Sequence, residues 1–137
     1  MPHFAKAVLE RELPERGIAY RHMPELGGLR KPKVDSINTG WHNVSFRGYA
    51  DYMQQDEFWK AITQLEHLAE SHRLAIMCAE AVPWRCHRSL IADALQVRGV
   101  EVRHITGMSD PTAHRLTPFA RVEHGRITYP SPDTLPI

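Results

Sequence analysis

The chain has 137 residues, 42% of them hydrophobic and 24% charged, with a formal net charge of +1. That length holds one domain and one core, and the composition is that of an ordinary globular chain, not a disordered one. Bulk charge announces no nucleic-acid partner, and apolar runs far below the roughly 18 residues of a membrane helix point to no membrane. The first residues, MPHFAKAVLERELPERG, lack the unbroken apolar stretch of a signal peptide, so a cytoplasmic protein is expected. Two cysteines in a chain of this size are no disulfide scaffold.

In chain order, PHFAKAVLERELPERG reads as a helix with Phe4, Val8, Leu9 and Leu13 at helical spacing, stopped by Pro14 and Gly17. Ile18–Met23 alternates as a short strand. A long stretch rich in turn residues follows, PELGGLRKPKVDSINTGWHNV, and loops of that length are often functional. Ser45–Met53 fits a short helix, and DEFWKAITQLEHLAESH is the clearest helix, with Phe58, Ile62, Leu65 and Ala69 on one stripe. RLAIMC reads as a strand buried on both faces, SLIADALQVRG as a helix closed by Gly99, and VEVRHI as a further strand. FARVEHGRITYP suggests a hairpin turning near His124–Gly125, and the proline-rich end from residue 131 a loose tail. This order predicts one α/β domain over residues 1–130: three layers, a mainly parallel sheet with flanking helices, and a C-terminal hairpin.

In such a sheet, ligands bind at the carboxyl ends of the strands, where the loop from Ala79 to Arg88 would lie. Cys86 precedes a helix that Ser89 could cap, and Arg85, His87 and Arg88 flank it. Helix amides, the helix dipole and those cations favour an anion and stabilise a thiolate. Cys78 ends the predicted strand and reads as a packing residue or a second nucleophile. A cysteine phosphatase loop does not fit, because six residues separate Cys78 from Arg85 and Pro83 removes an amide donor. Cys78, Cys86 and His87, with Glu80, offer sulfur and imidazole to zinc, but without a Cys-x-x-Cys pair. Glu25 and Glu80 are the acid/base candidates.

The segments IMCAEAVPWRCHRSLIADAL, YRHMPELGGLRKP, SFRGYADYM, VEVRHI and LTPFARVEHGRITYP together resemble the family called domain of unknown function DUF488. The resemblance implies a compact α/β fold and a pocket built from Glu25, Cys78, Glu80, Cys86, His87 and Arg88. It carries no settled activity and leaves the cofactor unknown. Family members open with a strand bearing GHS, a helix and a strand bearing DVR, and this sequence resembles a member without that unit. The expectation is then a homodimer that covers an exposed sheet edge, or a chain of low stability.

The leading functional expectation is a small anionic ligand, phosphate-bearing or nucleotide-like. Arg85, His87, Arg88 and Ser89 would bind it, and Cys86 or Cys78 would act as nucleophile with Glu25 or Glu80 as acid/base. The rival is a nucleic-acid-binding module in which Arg30, Lys31, Lys33 and Arg47 contact phosphates while Trp41, Phe46 and Tyr49 stack on bases. Nine scattered histidines assign no triad; His104 reads as a core histidine in a strand.

Overall fold

A computed structural model describes residues 6–28, 30–77 and 87–131. Cys78, Glu80, Arg85 and Cys86 lie outside the described residues. The elements are α1 (Lys6–Glu15), a 3-10 turn (Pro24–Leu26), α2 (Val44–Tyr52), α3 (Asp56–Ser71), α4 (Arg88–Val97), β1 (Arg103–His104), β2 (Thr112–Ala113), β3 (Arg121–Glu123) and β4 (Arg126–Thr128).

The expected three-layer, mainly parallel sheet is not what forms. The strands among the described residues make two separate antiparallel pairs, β1 with β2 and β3 with β4. Residues 18–23 are not a strand, and neither are residues 73–77. Leu74, Ile76 and Met77 are 41%, 38% and 46% exposed. An apolar run becomes a buried strand only when neighbours pair with its backbone and cover its faces, and no described segment does so here. Helices supply the burial instead.

Those helices follow their sequence signals. Asn43 caps α2, its side-chain oxygen accepting from the Ser45 and Phe46 amides at 2.9 and 3.2 Å, a cap worth about 1 kcal/mol. Asp56 and Glu57 place negative charge at the start of α3, where the dipole favours it. Phe58, Ile62 and Leu65 bury one stripe of α3, with Trp59 and Ala61 beside it, while Ala69 is exposed. The end of α4 turns at Gly99, whose φ of +85° suits a residue without Cβ. There the Gly99 and Val100 amides donate back to Gln96 and Leu95.

The core lies between α2, α3, α4 and β4. It contains Phe46, Tyr49, Met53, Phe58, Ile62, Leu90, Ile91, Leu95, Ile127 and Tyr129. Arg98 ties α4 to α3 through Glu66 at 3.0 Å while lying over the Trp59 ring. The β3–β4 hairpin turns at His124–Gly125, both at positive φ, and brings Ile127 and Tyr129 into the core.

The long loop is fixed to this core by a buried polar network. Asp51 on α2 accepts from the Lys33 amide at 2.8 Å, the Ser36 hydroxyl at 2.7 Å and the Asn38 side-chain amide at 2.7 Å. Asn38, fully buried, accepts in turn from the Tyr129 amide at 2.8 Å. Two positions also require glycine, Gly48 on α2 where the loop crosses it and Gly40 in the loop. A Cβ on Gly48 would stand 1.9 Å from the Arg30 carbonyl oxygen, and one on Gly40 would stand 2.6 Å from the Phe119 ring.

Candidate functional site

Of the predicted site residues the structure describes Glu25, His87, Arg88 and Ser89, and the last three stand at the start of α4. His87 is the residue before the helix, and its ring turns away from the helix axis toward the Pro24–Gly28 loop. Its Nε2–H donates to the Leu26 carbonyl at 2.9 Å, and the ring packs on Tyr49 with centroids 4.6 Å apart. Gly28 makes room for it: a Cβ there would stand 2.9 Å from Nδ1. Tyr49 and Tyr52 donate their hydroxyls to the Leu26 and Glu25 carbonyls. Arg30 lies 3.7 Å from the Tyr52 ring centroid. The PELGG segment is thus clamped to α2 and to the start of α4.

His87 is therefore a clamp. Burial pulls its pKa below the ordinary value, the Leu26 hydrogen bond opposes this, and the charges of Arg88 and Arg30 lower it further. With Nε2–H spent on a carbonyl, that nitrogen is no metal ligand. Among the described residues, no group of three or more His, Cys, Asp or Glu side chains gathers to hold a metal ion.

Ser89 does not cap α4. The helix begins one residue earlier, at Arg88, so Ser89 sits inside its first turn. The residue at the cap is His87, whose side chain makes no cap hydrogen bond, and no acidic residue occupies that turn. Among the described residues no side chain caps this helix start, and the positive dipole end of a helix favours an anion. Arg88 adds a full positive charge there.

Glu25 is not shown facing that helix start. Its side chain lines a shallow concavity against α3 with Arg21, His22, Glu57 and Lys60. The aromatics of the long loop are committed to packing. Tyr49 and Phe46 are buried, and Trp41 meets Phe46, Phe119 and Tyr129 edge-on or tilted at 4.9 to 5.5 Å. Arg47 donates to the Trp41 carbonyl at 3.0 Å. Lys31 and Lys33 remain exposed.

A second cluster, absent from the sequence reading, lies farther along α4. Asp93 is completely buried and accepts four hydrogen bonds: from His114 Nε2 at 2.7 Å, the Thr117 amide at 3.1 Å, the Thr117 hydroxyl at 2.7 Å and the Tyr129 hydroxyl at 2.8 Å. His114 Nδ1 meets His104 Nε2 at 2.7 Å. The β1–β2 register explains this contact: His104 sits opposite Thr112, and His114 follows two residues later on the same face. Burial, the Asp93 charge and the Asp93 hydrogen bond all raise the Tyr129 pKa well above its ordinary value, so the phenol stays protonated and donates. The signal for this cluster was an aspartate inside the apolar run SLIADAL. An acid on a buried helix face needs donors from elsewhere in the chain.

The sequence model of one family, described as domain of unknown function DUF488, matches residues 1–95. The chain belongs to that family. The matched span includes the PELGG loop, α2, α3 and α4 as far as Leu95, and so both sides of the His87 clamp and Asp93 itself. The histidines that complete the Asp93 cluster lie beyond it. Comparisons with curated proteins and with solved structures brought no match. Among the described residues of this DUF488 protein, no helix is long and apolar enough to cross a membrane.

Proposed function

We propose that this DUF488 protein binds a small phosphate- or carboxylate-bearing ligand at the amino end of α4, in the cytoplasm. The observation that carries this reading is the first turn of α4, which begins at Arg88, contains no acidic residue and, among the described residues, has no side-chain cap. The His87 clamp adds preorganisation, since a site held in place before binding loses less entropy on binding. Amides and dipole would take the anion, with Arg88 supplying charge-assisted hydrogen bonds. Cys86, two residues before Arg88 in the sequence, is the thiol this reading assigns to any covalent chemistry there.

Calorimetric titration with inorganic phosphate and with nucleoside monophosphates tests the proposal. Binding that weakens about tenfold or more in Arg88→Gln is the expected result. An affinity indifferent to Arg88 would refute it. Tighter binding of single-stranded oligonucleotides, falling steeply with salt and unaffected at Arg88, would instead favour the exposed lysines of the long loop.

A further inference from the structure

We propose that the free edge of β1 is a self-pairing surface: two copies of this chain join antiparallel through it about a twofold axis at Val102, with Glu101 of each copy facing Arg103 of the other.

The backbone decides which edge is open. β1 lies against β2 with Arg103 opposite Ala113 and His104 opposite Thr112, and the His114 amide donates to the Val102 carbonyl at 2.9 Å. In an antiparallel ladder the N–H and C=O of one residue point to the same side, and successive residues alternate sides. Val102 and His104 therefore turn their polar groups to β2, and Glu101, Arg103 and Ile105 turn theirs away from it. Among the described residues, β2 is the only strand hydrogen-bonded to β1. An edge of that kind is a template for another strand.

The same alternation holds the edge in place. Val100 and Val102 pack against the core, and His104 is tied to His114 at 2.7 Å. The side chains between them point outward: Glu101 and Arg103 are 70% and 62% exposed, and Ile105 is 68% exposed. A strand already extended and anchored loses little freedom when it pairs. The turns at Gly99 and Gly107, both at positive φ, bound the stretch that can pair.

Charge selects the occupant and the register. An added strand must answer an acid and a base two residues apart on one face. The edge itself does so when run antiparallel about Val102. Glu101 then stands opposite Arg103 of the second copy, and Arg103 opposite its Glu101. Both are hydrogen-bonded pairs, as the outward backbone groups of these residues require. The Cα atoms of such a pair are about 5.5 Å apart, against about 6.6 Å between residues two apart along one strand. The ion pair within the chain, Arg103 Nη2 to Glu101 Oε1 at 2.8 Å, becomes one side of a square of four charges with alternating sign. Moving the axis to Glu101 or to Arg103 sets like charges directly opposite, which destabilises the pairing. An edge guarded by charges of one sign repels a second copy; this edge is complementary to itself.

Sedimentation equilibrium of the full chain, from micromolar to millimolar concentration, tests the inference. A reversible monomer–dimer equilibrium is expected, weakened by added salt. Arg103→Glu and Glu101→Arg each set like charges across the axis and should weaken dimerisation about tenfold or more. Both side chains are exposed, so each variant should keep the circular dichroism of the parent. Mixing the two variants puts opposite charges face to face again and should restore the dimer, as should the exchange E101R/R103E within one chain. A parent chain that stays monomeric at every concentration overturns the proposal. A dimer indifferent to either single substitution uses another surface and overturns it as well. So does a mixture of the two variants that fails to associate.

Discussion

Replacing Gly28 with alanine probes the clamp at the start of α4 with one methyl group. The new Cβ would stand 2.9 Å from His87 Nδ1 and 3.1 Å from Cε1, closer than carbon and imidazole tolerate. The atoms it meets belong to the His87 ring, so that side chain must yield. Yielding moves the ring from the Leu26 carbonyl and from Tyr49. The hydrogen bond contributes about 0.5–1.5 kcal/mol, and the ring contact contributes a similar amount beyond its buried area. Against this, alanine restricts the unfolded chain and stabilises by about 0.4–1 kcal/mol where the backbone permits it. Gly28 is not at positive φ, so the backbone does permit it. Gly28→Ala should therefore cost about 1–2 kcal/mol net in chemical denaturation. The decisive assay is the double-mutant cycle with His87→Ala. With the ring gone, Gly28→Ala should become neutral or slightly stabilising. An equal cost in both backgrounds would show that Gly28 serves something other than the His87 ring.

Asn38→Ala removes a fully buried amide that joins Asp51 to the Tyr129 backbone and should lower stability by about 2–4 kcal/mol, read from denaturant midpoints. Gly48→Ala places a Cβ 1.9 Å from backbone oxygen and should cost more than the roughly 1–3 kcal/mol usual for overpacking, giving little folded protein by circular dichroism. The His87 and His104 pKa values both lie below the ordinary 6.5. As pH falls through that value the unfolded chain takes up these protons first. The stabilisation from keeping both rings neutral is full above about pH 6.5 and is lost as pH falls below it, a loss that thermal melting from pH 8 to 5 should reveal.

The helices were legible because their signals are local. The Phe58, Ile62 and Leu65 stripe, the Gly99 stop and the turn at His124–Gly125 each depend on a few adjacent residues. The parallel sheet was not legible, because the apolar run Leu74–Met77 states only a preference for burial. Whether it pairs depends on strands elsewhere in the chain. The site divides the same way. His87 and Arg88 stood out as basic residues before a helix, and the structure puts them at its start. Their division of labour was hidden, since His87 turns toward a loop sixty residues away in sequence. Ser89 looked like a cap until the helix began one residue earlier. The Asp93 cluster joins α4, β1, the segment after β2 and the residue after β4, so its members are scattered along the sequence. Only the aspartate among apolar neighbours hinted at it.

The proposed function requires that the start of α4 receive an anion. Titration of the isotope-labelled chain with inorganic phosphate, followed amide by amide, is the test. The largest saturable shifts are expected at Arg88, Ser89 and Leu90, lost in Arg88→Gln while the remaining spectrum is preserved. Largest shifts at Lys31 and Lys33, or shifts at the helix start that persist without the Arg88 charge, would contradict it.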